Sequence, residues 1–452
     1  MRTKNPSPFA PLGALVALGA LLLAVTGAAE AGPKIEQWNT AAGARVLFVE
    51  NHALPMIDLQ IDFAAGSATD PAGRAGLAGL ARGLLDAGTA TLDEQAIADR
   101  SADIGAQIGG GTELDRSSLS IRSLSSPTER DAAVTLAADL LAHPAFPAEV
   151  LERERARAIA GLRESLTRPA TLAARRLNAA VYADHPYGAN VTPESLAAIT
   201  RDDIVAFHRS RYTANNASIA IVGDLDRATA EQIAIRLTEA LPRAAAPTPL
   251  PAPAMPAAAD IRIPHPSAQA HILIGQPGLA RQDPDYFPLL VGNYTLGGGG
   301  FVSRLTAEVR EKRGFAYSVY SYFIPQQVAG MFQIGLQTRG SQVEEALGVV
   351  RRTLAGFIAD GPTAAELKSA KDNLINGFGL RLDSNRKILD HVAMIGFYRL
   401  PLDWLDSYPR QVAAVTAEQV RDAFARRIRA EHLVTVVAGG DGDAQAKPTS
   451  AQ

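Results

Sequence analysis

The chain closes twice in the same way. Residues 199–224 read ITRDDIVAFHRSRYTANNASIAIVGD, and residues 415–440 read VTAEQVRDAFARRIRAEHLVTVVAGG. At a constant offset of 216, Thr200 matches Thr416, Ile204 matches Val420, Arg211 matches Arg427 and Gly223 matches Gly439. Each copy predicts a Thr-capped amphipathic helix, a short turn and an apolar strand ending on Gly. Such a segment at the end of each half is the signature of an internal duplication. The fold must therefore be one that two copies of the same unit can build.

The two halves are separated by AAAPTPLPAPAMPAAA at 244–259, with proline at positions 247, 249, 251, 253 and 256. This run allows neither a helix nor a central strand, and is expected to be a semi-rigid extended spacer. It divides the chain into domains at 32–243 and 260–445, leaving a polar tail at 446–452 that is expected to fray. At the other end, Arg2 and Lys4 precede an apolar run at 12–25 and an A-x-A pattern at Ala29 and Ala31. The run is shorter than the ~20 residues of a spanning helix. Residues 1–31 therefore read as a cleaved signal peptide, and the expected destination is the periplasm.

Within the first half, 45–51 and 56–67 predict two strands paired with each other. Ile57, Leu59, Ile61 and Phe63 alternate with polar residues, the pattern of a sheet buried on one face. Ala/Leu/Arg/Glu-rich helices are expected near 76–87, 92–103, 128–142 and 147–166. Early strands beside clustered helices give an α+β class, with an antiparallel-rich sheet packed against helices in each half.

Composition narrows the chemistry. The formal net charge of −3 argues against a protein that coats nucleic acid, and the lack of cysteine excludes disulfide scaffolds and thiol catalysis. The eight histidines are His52, His143, His185, His208, His265, His271, His391 and His432, and no two stand at helical metal-ligand spacing. Each reads as a surface or capping residue. HPYG at 185–188 reads as a helix terminator and turn. No G-x-S-x-G elbow is present. LGGGGF at 296–301 lacks the Lys-Ser/Thr of a phosphate loop, and reads either as a turn before a helix or as a rim beside a cleft.

FVSRLTAEVREKRGFAYSVYSYF at 301–323 is the most informative stretch. Residues 302–313 predict a helix with Val302, Leu305 and Val309 on one face, capped by Gly314 and followed by an aromatic strand. Arg310 falls in the last turn and Tyr317 near the start of the strand. The tight turn could bring both to one mouth, where they could donate hydrogen bonds to a carbonyl or oxyanion. A helix-end Arg and a packed Tyr would look the same.

This stretch and the whole layout resemble the M16 (pitrilysin-type) metallopeptidases, in particular the short bacterial members related to mitochondrial processing peptidase. The resemblance rests on G-G-G-x-x-S-R-L…R-E-K-R-G-x-A-Y. It implies that Arg310 and Tyr317 bind and polarise substrate, with Gly297, Gly298, Gly299 and Gly300 near the peptide. It also implies a His-x-x-Glu-His zinc motif, but the corresponding text is GLAGLARGLLDAGT at 76–89. Gly79 and Gly83 stand at the His positions and Arg82 at the Glu position. The third ligand position falls near Ala160 or Gly161, with Glu154 and Glu164 close by. No metal or other cofactor is therefore expected in this chain. The resemblance implies a non-catalytic subunit of a two-chain peptidase, which supplies Arg310 and Tyr317 in trans to a zinc-bearing partner. Peptide would bind as an added strand on a sheet edge. An inert structural or peptide-binding protein is the alternative.

Overall fold

The computed structural model describes residues 32–245 and 247–440. The expected leader at 1–31 and tail at 446–452 lie outside the described residues. The first half contributes β1 (Glu36–Asn39), β2 (Arg45–Glu50), β3 (Met56–Phe63), β4 (Gln107–Gly109), β5 (Ser117–Leu124) and β6 (Ala217–Gly223). They form one sheet in the order β1-β2-β6-β3-β5-β4. The second half contributes β7 (Ala259–Ile263), β8 (Gln269–Leu279), β9 (Val319–Phe323), β10 (Gly330–Arg339) and β11 (Val434–Gly439), in the order β7-β11-β8-β10-β9.

Without β1 the two sheets are the same object. β2 with β6 and β7 with β11 are parallel, and every other neighbouring pair is antiparallel. The helices repeat as well. Pro127–Ala142 and Val343–Asp360 start 216 residues apart, as do Pro169–Tyr182 and Asn385–Phe397, and Arg201–Arg211 and Ala417–Arg427. Thr200 and Thr416 cap the last pair through the N–H groups of Asp203 and Gln419. The fold is α+β, with two mixed sheets packed against helices.

Two expectations about the first sheet need correction. β2 and β3 are not neighbours, because β6 lies between them, parallel to one and antiparallel to the other. β6 is buried along its whole length, which suits an interior strand better than either of the other two. Nor is the sheet buried on one face only. The polar residues Asp58, Gln60 and Asp62 of β3 are buried under the helix Asn385–Phe397, which comes from the second half. They are satisfied there. Arg122 donates to both oxygens of Asp58 at 2.8 and 3.0 Å, and Arg116 and Gln60 donate to Asp62 at 3.1 and 2.8 Å.

The exchange is reciprocal. The helix Pro169–Tyr182 of the first half packs on β8 and β11 of the second. Leu47, Val49, Ala220 and Val222 accordingly share a core with the second half rather than with their own. A buried clasp adds a polar link. Asp115 accepts from the hydroxyls of Tyr187 (2.5 Å) and Tyr398 (3.0 Å) and from the Gln327 N–H (2.8 Å). The HPYG segment thus forms a turn that presents Tyr187 to the other half, with His185 capping the Tyr187 N–H. The proline-rich segment is extended but tied down. Asn215 bonds Ala244, His185 donates to the Pro251 carbonyl, and His432 donates to that of Pro256.

Candidate active site

The helix Tyr286–Asn293 runs directly into a π-helical turn, Tyr294–Gly298, and then a 3-10 turn, Gly300–Val302. Such π turns occur often at functional sites. Three of the four glycines are packed. A Cβ on Gly297 would lie 2.5 Å from the Ser321 nitrogen of β9, one on Gly298 2.7 Å from Asn293 Nδ2, and one on Gly299 2.6 Å from the Tyr294 carbonyl. Gly300 has φ +61°. Asn293 fastens this turn to β9, donating to the Ser321 carbonyl at 3.0 Å and accepting from its hydroxyl at 2.7 Å. Both readings of the run are combined here. It is a turn, and it also walls a cavity of about 890 Å³ whose opposite side is the edge strand β9.

Residues 302–313 are not one regular helix. Ser303 is fully buried and spends its hydroxyl on the Gly300 carbonyl (2.7 Å) and on Thr306 (3.0 Å). Val302 therefore belongs to the preceding turn and is 62% exposed, whereas Leu305 and Val309 are buried as expected. A second π-helical turn, Thr306–Glu311, carries Arg310. Arg304 anchors the segment through a two-pronged pair with Glu366 (2.7 and 2.7 Å), which pulls the Glu366 carboxyl down to about 2. Gly314, at φ +64°, closes the segment by donating to the Arg310 carbonyl at 2.9 Å. The strand starts only at Val319, so Tyr317 sits in the connecting loop, 85% exposed.

The Gly turn brings Arg310 and Tyr317 together. The guanidinium carbon is 4.7 Å from the Tyr317 ring centroid and 4.8 Å from that of Phe301. Glu308 on the same turn is committed to Lys312 (2.6 Å) and Arg313 (2.7 Å). Arg310 makes no ion pair among the described residues. Among the described residues no group accepts a hydrogen bond from the Arg310 guanidinium or from the exposed Tyr317 hydroxyl. Sequence reasoning missed Phe301. Its only signal in the sequence is an aromatic residue directly after a glycine run.

The other position of interest is the helix Leu77–Gly83, shorter than the expected 76–87 because the chain turns at 84–86. Asp70 caps it, accepting from the N–H groups of Gly76 (2.7 Å) and Ala78 (2.8 Å), and burial lifts its carboxyl to about 6. Arg82 is buried and donates to the Ser118 carbonyl at 2.6 Å. Nothing lies within 4 Å of a Cβ placed on Gly79 or Gly83. They open onto an apolar cavity of about 410 Å³. Its far wall, on the helix Ala148–Ser165, is Glu154, Arg157, Ala158 and Leu162 rather than Ala160 or Gly161. Glu154 is held by Arg157 (2.8 Å) and Arg153 (3.1 Å).

One paired carboxylate and a buried guanidinium do not fit a zinc ion, which needs three ligands. Among the described residues no group of three His, Cys, Asp or Glu side chains could hold a metal ion. Among the described residues no histidine belongs to such a group. His208 departs from the expected surface or capping role. It is buried, donates to the Leu141 carbonyl and stacks on Tyr212.

Residues 45–193 match the family Insulinase (Peptidase family M16), and residues 198–374 match Peptidase M16 inactive domain. A crystal structure of a peptidase M16 inactive domain from Pseudomonas fluorescens superimposes with a TM-score of 0.86 at 40% identity, covering 90% of this chain and 97% of that one. The uncharacterized zinc protease YmxG of Bacillus subtilis is 24% identical over 90% of this chain and 99% of its own. A protein of Helicobacter pylori described as the non-peptidase homolog YmxG is 26% identical over 89% of this chain and 93% of its own.

Proposed function

The chain belongs to the peptidase M16 family, and from that premise we propose that it is the non-catalytic, substrate-binding subunit of a two-chain zinc peptidase. One contrast carries the reading. Arg310 and Tyr317 stand together and unspent, while Gly79, Arg82 and Gly83 occupy the positions where the family's zinc motif would be. A partner bearing His-x-x-Glu-His would hold the zinc, which supplies an activated water. This chain would present Arg310 and Tyr317 to the carbonyl of the scissile peptide, with Gly297, Gly298, Gly299 and Gly300 as the rim past which the peptide runs. The edge strand β9 offers unpaired backbone groups beside that rim for strand addition.

The leader expected at 1–31 supports a periplasmic location. Among the described residues no helix is long and apolar enough to cross a membrane. A second reading, an inert peptide-binding or structural protein, draws on the likeness to the non-peptidase homolog of Helicobacter pylori.

Co-purification from native periplasm followed by peptide hydrolysis separates the two readings. An equimolar companion carrying the zinc motif is expected. Arg310→Ala should leave assembly intact and lower turnover by roughly 100- to 1000-fold, the loss expected for an oxyanion donor. Full activity in an assembled Arg310→Ala complex, or recovery of the chain without any zinc-bearing companion, would favour the inert reading.

A further inference from the structure

A second cavity, of about 870 Å³, lies between the two halves, and Arg281 lines both it and the cavity beside the Gly-rich turn. Arg45 at the start of β2 and Arg211 at the end of its helix line it from the first half. Arg281 after β8 and Arg399 after the helix Asn385–Phe397 line it from the second, and linker residues 247–250 form part of the wall. Asp115 is the only carboxylate among the lining residues, and the clasp already uses both its oxygens.

Several partly buried arginines elsewhere have a carboxylate partner, as Arg116 has Asp62, Arg304 has Glu366 and Arg427 has Asp285. None of these four forms an ion pair with a described residue. The Nε atoms of Arg45 and Arg281 are buried without a hydrogen-bond partner. Burial, together with the charge of Arg399, holds Arg45 below the ordinary arginine range, and burial does the same to Arg211. Donors buried without a partner, and two guanidinium groups set close together, are both unfavourable until an anion arrives.

Arg399 is also held in an uncomfortable backbone. Its φ is +53°, at the left-handed position after a helix end where glycine is usual, with the Leu400 N–H bonded to the Ile395 carbonyl at 3.0 Å. A folding optimum would place glycine there. The arginine contributes a fourth guanidinium to the cavity instead.

We propose that this cavity binds a small multivalent oxyanion, carrying phosphate or carboxylate groups, that bridges Arg45 and Arg211 of one half to Arg281 and Arg399 of the other. Guanidinium forks suit such groups because each can donate two parallel hydrogen bonds. A ligand that spans both halves stabilises the folded chain by mass action.

The test is calorimetric titration and thermal unfolding of the purified chain with pyrophosphate and, separately, with citrate, against potassium chloride of equal ionic strength. One bound anion per chain and a raised Tm are expected. Binding of only one of the two would identify the oxyanion. Arg45→Gln should weaken binding about tenfold or more. Arg399→Gly should do the same without lowering the Tm of the unliganded protein, since it relieves the backbone. Arg227→Gln, whose guanidinium covers Trp38 and does not line the cavity, should bind normally. Absence of binding by both anions beyond the chloride control, or binding undiminished in Arg45→Gln and Arg399→Gly, would overturn the proposal.

Discussion

Arg310 lies against the face of Tyr317, its guanidinium carbon 4.7 Å from the ring centroid, in a loop where Tyr317 is 85% exposed. Ring and hydroxyl can be tested apart. Tyr317→Phe keeps the ring under the guanidinium and removes one donor. If the hydroxyl serves the scissile carbonyl, turnover of the assembled peptidase should fall by about 100-fold. Phe301→Ala removes only the second ring, a contact worth about 0.5–1 kcal/mol at an exposed site. A loss of roughly two- to fivefold is expected. Initial-rate measurements on both variants settle the order. A larger loss in Phe301→Ala would mean that positioning of Arg310, and not the Tyr317 hydroxyl, matters.

Much of this arrangement was legible because it is local. The Thr200 and Thr416 caps, the strand endings at Gly223 and Gly439, and the turn at Gly314 each depend on a few adjacent residues. So does the approach of Arg310 to Tyr317. What the sequence could not display was contact between distant parts. Asp58, Gln60 and Asp62 look like a solvent face until a helix that begins at Asn385 covers them. β6 separates β2 from β3 by long-range pairing, which no hairpin rule anticipates. Arg45, Arg211, Arg281 and Arg399 share one cavity only because the halves exchange helices. Val302 was misplaced for a local reason, the buried hydroxyl of Ser303.

Two glycines should respond to alanine with opposite signs. At Gly297 the new Cβ would meet the Ser321 backbone nitrogen at 2.5 Å, so β9 or the π turn must shift. Gly297→Ala should cost about 1–3 kcal/mol, as overpacking does. At Gly79, inside the helix Leu77–Gly83, nothing lies within 4 Å. Gly79→Ala should stabilise by about 0.5–1 kcal/mol, because a flexible residue leaves a helix interior. Denaturant unfolding of the two single variants gives the comparison. Equal effects would contradict the packed description of the Gly-rich turn.

Stability should depend on pH through Asp62. Burial lifts its carboxyl to about 6 even with Arg116 beside it. An acid whose folded pKa exceeds its unfolded value, near 3.9, binds its proton more tightly in the native state. The associated stability is complete below about pH 4 and is lost as pH rises through about 6. Asp62→Asn carries no such titration. The stability difference, variant minus parent, should therefore move in favour of Asp62→Asn between pH 4 and pH 7. Unfolding curves across that range test the sign, and a constant difference would place Asp62 among ordinary ionised carboxylates.

The hollow beside Gly79 and Gly83 makes a stronger demand on the fold. Both positions face open space and stand four residues apart on one helix, so two imidazoles fit side by side. Arg82→Glu would remove the guanidinium now bonded to Ser118. Glu154 cannot complete a ligand set while Arg153 and Arg157 hold it, but Ala158 lines the same cavity from the facing helix. The combined variant Gly79→His, Arg82→Glu, Gly83→His and Ala158→Glu should therefore bind one zinc per chain, with an affinity at least about 100-fold above that of the parent chain. Omitting Ala158→Glu should weaken it about tenfold. Zinc competition with a chelating indicator reads both values without any assay of hydrolysis. Failure of the combined variant to bind, while remaining folded, would mean that the two helices no longer face each other as a metal site requires.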